Sequence, residues 1–139
     1  MKIVLDTNVV VSGLLGSRGN PAQVLALVLG GAVQICYDEH ILAEYSEVLA
    51  RPRFRFDPRR VREVLNKIER DGISVEVAGL QKFHLPDPDD ECFLAVAVAA
   101  SVDHLVTGNM ADYPTEKCRG CAVVTPTAFI ANWHRLHPN

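Results

Sequence analysis

Acidic residues recur where apolar runs give out. Asp6 ends Lys2-Ile3-Val4-Leu5, and Asp87, Asp89 and Asp90 precede an apolar stretch at 93–100. Asp112 follows His104-Leu105-Val106-Thr107, close behind the polar Asn109, and Glu44 falls in a helix predicted after a strand at 33–36. In an open parallel sheet the carboxyl ends of the strands share one edge, where ligands bind. Carboxylates from distant parts of the chain would then meet in one cleft and raise each other's pKa. A divalent cation relieves that repulsion, and hard cations such as Mg²⁺ take oxygen ligands. The pattern predicts a metal-dependent enzyme acting on phosphate esters.

The acids differ in weight. Asp6, directly after a short buried strand, is well placed for the sheet edge. Asp90 opens a helix, where aspartate is a preferred N-cap, and capping is compatible with metal binding. Asp87 and Asp89 flank Pro88 and fit an ordinary turn. Glu44 lies at the edge of an apolar arc of Ile41, Leu42, Tyr45, Val48 and Leu49, facing either a cleft or solvent.

Elements alternate between strand and helix throughout. A strand at Lys2–Leu5 leads into a glycine-bearing loop around 12–19. Asn20 and Pro21 then read as cap and first turn of a helix over 22–29, stopped by Gly30-Gly31. A strand at 33–36 and a helix over 39–50 capped by Asp38 follow. Pro52 breaks the pattern before a helix over Pro58–Asp71 that Gly72 ends. A weak edge strand is predicted at 73–77, a buried helix at 92–100, strands at 104–107 and 122–125, and a last helix from Pro126 to about 134. Such alternation argues for a parallel sheet covered on both faces.

Bulk properties bound the answer. The 139 residues, 48% hydrophobic and 22% charged, suit one globular domain. No apolar run reaches the roughly 18 residues of a membrane span, and the start lacks the regions of a signal peptide, so a cytoplasmic chain is expected. In a reducing compartment Cys36, Cys92, Cys118 and Cys121 would be free thiols, two of them small core residues. The net charge of −3 hides a basic cluster: of 14 Lys and Arg, six are Arg51, Arg53, Arg55, Arg59, Arg60 and Arg62. Arginine binds two phosphate oxygens with its planar fork, so the segment suits a polyanion, although a solvated helix face has the same composition.

The segment Asp6-Thr7-Asn8-Val9-Val10-Val11-Ser12-Gly13 resembles the opening motif of PIN domains, small Mg²⁺- or Mn²⁺-dependent ribonucleases. Further likenesses follow in order: Glu44 within Ile41-Leu42-Ala43-Glu44-Tyr45, Asp90 within Asp87-Pro88-Asp89-Asp90-Glu91, Leu105-Val106-Thr107-Gly108-Asn109, and Val123-Val124-Thr125-Pro126. Together they cover nearly the whole chain, residues 1–139 as a single PIN-like domain. The likeness is strongest to the toxins of toxin–antitoxin systems, related to the VapC type. It implies an α/β fold: a three-layer α/β/α sandwich with a mainly parallel central sheet of about five strands. It implies catalytic Asp6, Glu44, Asp90 and Asn109, with Mg²⁺ or Mn²⁺ held by Asp6, Glu44 and Asp90, and by Asp112 or Asp87 if either side chain turns inward. Thr7, Asn8, Ser12 and Thr107 would orient carboxylates or bound water. Arg51, Arg53 and Arg55 would guide the RNA. An antitoxin protein and a second copy of the chain are the implied partners, and no membrane is involved. Position 109 departs from the many members that carry Asp: an amide oxygen can ligate a hard cation but brings no charge.

Other functions remain open. Asn109 motivates a PIN-like RNA- or protein-binding module with impaired catalysis. A phosphatase on a doubly wound sheet would place a second Asp at position 8, which is Asn. Cys118-x2-Cys121, followed by His134 and His137, approaches a zinc-ligand pattern, although Pro126 starts a helix between the pairs. His40 and His84 have no partner legible in the sequence.

Overall fold

The computed structural model describes residues 1–79 and 82–138. Five strands, β1 (Lys2–Leu5), β2 (Gln34–Tyr37), β3 (Ile73–Ser74), β4 (His104–Val106) and β5 (Val123–Val124), form one sheet in the order β3-β2-β1-β4-β5. Every pairing is parallel, with Ile3 beside Ile35 on one side and Val4 beside Leu105 on the other. Ile3, Val4 and Leu5 are fully buried, as a strand covered on both faces requires.

Six helices cover the sheet: α1 (Thr7–Leu15), α2 (Asn20–Leu29), α3 (Glu39–Leu49), α4 (Pro58–Asp71), α5 (Glu91–Ala99) and α6 (Pro126–Leu136). α5 packs over β1, β2 and β4, whereas α2 packs against α1, α4 and α6. The chain steps from β1 outward to β2 and β3, then crosses back through α5 to β4 and β5. Right-handed crossovers running in opposite directions put α5 on the face opposite α1 to α4. The result is a three-layer α/β/α sandwich. β1 and β4 are neighbours whose connections leave in opposite directions, which is the switch point where such sheets open a crevice.

Two local expectations change. The segment after β1 is helical over Thr7–Leu15, so the loop expected around 12–19 begins only at Gly16. Its valines and glycine have weak helix propensity, but burial of Val9, Val10 and Gly13 overrides it. Asn20 does not cap α2: Gly19 holds that position, and the Asn20 amide instead donates to Thr127 Oγ1 at 3.0 Å. Asp38 caps α3 as expected, accepting from the Ile41 N–H at 2.9 Å. β3 is three residues shorter than the strand expected at 73–77, and the other strands and last turns differ from expectation by a residue or two.

Tyr45 links these layers at the functional edge. It is fully buried on α3, donates to the Leu5 carbonyl at 2.5 Å, and lies 6.2 Å from the Phe93 ring on α5. The residue on either side of that bond matters: Asp6 follows Leu5, and Glu44 precedes Tyr45.

Candidate metal centre

β1 ends at Leu5, so Asp6 emerges at the carboxyl edge beside the end of β4. Its backbone N–H donates to the Val106 carbonyl at 3.0 Å, continuing the sheet ladder by one step. Asp6 occupies the N-cap position of α1, yet its side chain does not cap. It turns instead to Thr107 and Tyr113, whose hydroxyls donate to Oδ2 at 2.9 and 3.0 Å. Thr107 is fully buried, and its hydroxyl also accepts the Asn109 N–H at 3.1 Å. The proton of Thr107 is therefore committed to the carboxylate. Burial pushes the Asp6 pKa up, while Thr107, Tyr113 and the N–H groups of Thr7 and Asn8 oppose that rise. Asn8 closes the other side, its Oδ1 accepting the Gly108 N–H at 2.9 Å.

Asp90 sits at the start of α5, on the opposite layer, and is buried. The expected side-chain cap is not made. Its Oδ2 is buried without a hydrogen-bond partner. Its pKa rises to about 8, first because of burial, then through the charges of Asp6, Asp87 and Asp112 and a close carboxyl contact with Asp112. Two carboxyl groups in such contact need a proton or a cation between them. Asp112, on the turn Met110–Asp112 after β4, thus faces inward, and Asn109 Nδ2 donates to its Oδ2 at 3.1 Å. Asn109 acts on this cluster through Asp112.

Glu44 reaches the cluster from α3. Burial raises its pKa, as do Asp89, Glu47 and Asp6, while Arg51 lowers it. Four elements therefore send acids to one edge: β1, α3, α5 and the β4–β5 connection. Among the described residues, no three His, Cys, Asp or Glu side chains are grouped closely enough to hold a metal ion as placed. The donor chemistry nevertheless fits a hard cation. The carboxylates concentrate negative charge, one buried oxygen has no partner, and Mg²⁺ characteristically keeps several waters between itself and its few carboxylates.

The remaining residues fall into distinct roles. The Thr7 hydroxyl is buried and unpartnered, whereas Ser12 is exposed on α1 and no described contact joins its hydroxyl to the carboxylates. Asp87 forms the expected turn, accepting from the Asp89 N–H at 3.0 Å. Arg51 is exposed and forked onto Glu47 at 2.8 and 3.2 Å. Arg53 lies over the Phe54 ring, and Arg55 is exposed in a left-handed turn at φ 55°. Tyr113 had no signal in the sequence, being an aromatic in a polar loop, and neither had Glu91. The Glu91 carboxylate accepts the N–H groups of Phe83 and Leu85 at 2.7 and 3.0 Å, securing the approach to Asp90.

The cysteine–histidine pattern does not converge. Cys118 Sγ turns to the Tyr113 and Pro114 carbonyls, and His137 stacks on Trp133 with 3.8 Å between centroids. All four cysteines are free, and Cys92 is pushed up to about 12 by burial and by Asp38, Glu44 and Asp90.

Fold and site together define an acid-cluster α/β protein with its carboxylates at the sheet's switch point. The PIN domain family model matches residues 2–111, and the chain belongs to that family. PIN domains are generally nucleases and generally use divalent metal ions. Among solved structures, the chain is similar to a chain of VapBC2 from Rickettsia felis, bound to a DNA fragment from their promoter. The two share 15% identity and a TM-score of 0.57, over 90% of this chain and 98% of that one. No curated protein matches the sequence. No helix among the described residues is long and apolar enough to cross a membrane.

Proposed function

We propose that the protein is a Mg²⁺- or Mn²⁺-dependent endoribonuclease that hydrolyses RNA phosphodiesters. What supports this reading is the negative charge that Asp6, Glu44, Asp90 and Asp112 bring to the carboxyl edge of the sheet, enough to raise the pKa of Glu44 and Asp90, with a buried Asp90 oxygen left without a partner. These four would hold the cation, and Asn109 would keep Asp112 turned inward. When bound, the cation supplies an activated water and stabilises the departing 3′ oxygen. The chain's own residues do the rest. Thr107 and Tyr113 fix the rotamer of Asp6 and favour its ionised form. Asp90, whose pKa is raised to about 8, would give up a proton on holding a cation. Arg53 and Arg55 attract the RNA backbone beside the cleft, with Arg51 freed when its link to Glu47 opens.

The VapBC2 likeness supports a toxin of a toxin–antitoxin pair, with an antitoxin segment placing a basic side chain on the acidic edge. A homodimer and a cytoplasmic setting belong to the same reading. The second reading, a binding module with impaired catalysis, draws on the uncharged Asn109 and on the absence of a preformed three-ligand cluster among the described residues. Turnover separates them. Cleavage of an unstructured RNA in Mn²⁺ or Mg²⁺, abolished by EDTA, is the expected result. RNA binding without cleavage at saturating Mn²⁺ would favour the module.

A further inference from the structure

Between α3 and α4 lies a groove of about 570 Å³. Leu49, Phe56, Val61 and Leu65 give it an apolar floor, and Arg55 and Arg62 stand at its margin. Three arginines line it against the single acid Glu69, on a chain whose net charge is −3. Beside the groove, and joined to it through Phe56, stands an aromatic ladder. The Phe54 and Phe56 rings stack with centroids 5.6 Å apart and 19° between planes, and the Arg53 guanidinium lies 4.7 Å from the Phe54 centroid. Phe56 packs against the core, which fixes the foot of the ladder, while Arg53 at its top is exposed.

We propose that this groove and ladder form a subsite for an unpaired nucleobase of the RNA strand, stacked on the exposed Arg53 guanidinium that Phe54 and Phe56 support from below, with Arg55 and Arg62 holding the adjacent phosphates. The identity of the polymer rests on the nuclease reading above. Aromatic rings and guanidinium planes are sequence-tolerant stacking platforms for unpaired bases, whereas a base inside a duplex has both faces occupied. Position agrees with this. α3 carries Glu44 and runs toward the ladder: a helical rise of 1.5 Å per residue puts its last residue, Leu49, roughly 7.5 Å further along the axis, with Arg51 two residues beyond. Glu44 already senses the Arg51 charge, so one strand can cross both the acidic edge and the groove. An acidic amphipathic helix would suit the floor and the arginines, but it has no use for a ring–ring–guanidinium stack.

The test is fluorescence anisotropy on the full chain in EDTA, where metal-dependent cleavage is silent. The probes are a labelled unpaired oligoribonucleotide and a hairpin duplex of equal length. The unpaired probe is expected to bind at least ~10-fold tighter than the hairpin, in line with base–aromatic stacking. Phe54→Ala is expected to weaken it about 10-fold and remove the preference, and Phe54→Tyr to restore both, which separates stacking from misfolding. Arg55→Gln is expected to reduce the salt slope by about 0.7, the value of one phosphate contact to a single strand. Equal affinity for the two probes, or an unpaired affinity within twofold of wild type in Phe54→Ala, would overturn the proposal. So would binding of an acidic amphipathic peptide in the groove with the unpaired RNA ignored. Cleavage in Mn²⁺ is scored separately. Its absence alongside Phe54-dependent binding would sink the nuclease reading and leave the subsite standing, and the converse pattern would do the reverse.

Discussion

Asp6 carries the largest share of the site's organisation, and Tyr113 is its least visible support. The Tyr113 hydroxyl is buried on the Asp6 carboxylate. Groups that orient a metal-binding carboxylate typically contribute 10- to 100-fold in affinity or activity. Tyr113→Phe is therefore expected to weaken Mn²⁺ binding about 10-fold in calorimetry with a small loss of stability, and unchanged affinity would refute that role. Asp90 sets the pH behaviour. Its folded carboxyl keeps its proton to about pH 8, while the unfolded one loses it near 3.8. The folded state then binds more protons across that window, so the metal-free protein should lose stability as pH rises through it. A cation competes with that proton, so Mn²⁺ affinity should rise from pH 6 to 8, with about one proton released per site. Titrations in buffers of different ionisation enthalpy read this directly. The acids proposed for the site, Asp6, Glu44 and Asp90, could be picked out of the sequence because each stands beside a strongly patterned element. Tyr113 and Glu91 were not, because a hydroxyl or carboxylate aimed from a loop leaves no periodic trace.

At the scale of elements, pattern succeeded where it agreed with propensity. α4 was expected over the residues it occupies because Gly72 closes it, and the structure adds the cap that opens it, Asp57 accepting the Arg59 N–H at 2.9 Å. α1 was missed because three valines and a glycine argue against a helix until tertiary burial is considered. The all-parallel sheet followed from alternation, but its order could not be read from local pattern, and that order is what creates the switch point. Gly72 shows how tightly α4 is fixed to the sheet. A Cβ there would lie 2.5 Å from the Ile68 carbonyl oxygen and 2.8 Å from that of Ile35. Both are backbone atoms, so Gly72→Ala should cost about 2 kcal/mol or more, as forced overpacking does. A thermal melt indistinguishable from wild type would contradict the packing described.

The whole molecule separates charge by region. Acids gather at the carboxyl edge of the sheet, and the arginines of 51–62 lie beyond the end of α3, so a net charge of −3 does not preclude a polyanionic substrate. If the groove arginines Arg51, Arg55 and Arg62 each neutralise one phosphate, RNA affinity should fall with salt at a log–log slope of about −2, the value for three contacts to a single strand. Replacing all three with Gln should flatten most of that dependence. The account's central claim joins the two regions: acids that hold a cation cut the strand that the arginines hold. The most direct test is the rate of Mn²⁺-dependent cleavage of an unstructured RNA by wild type, Asp6→Asn and Asp90→Asn, each verified as folded by circular dichroism. Metal-dependent cleavage by the wild type, falling at least ~100-fold in both variants, is the predicted result. Undiminished cleavage by either folded variant would contradict it.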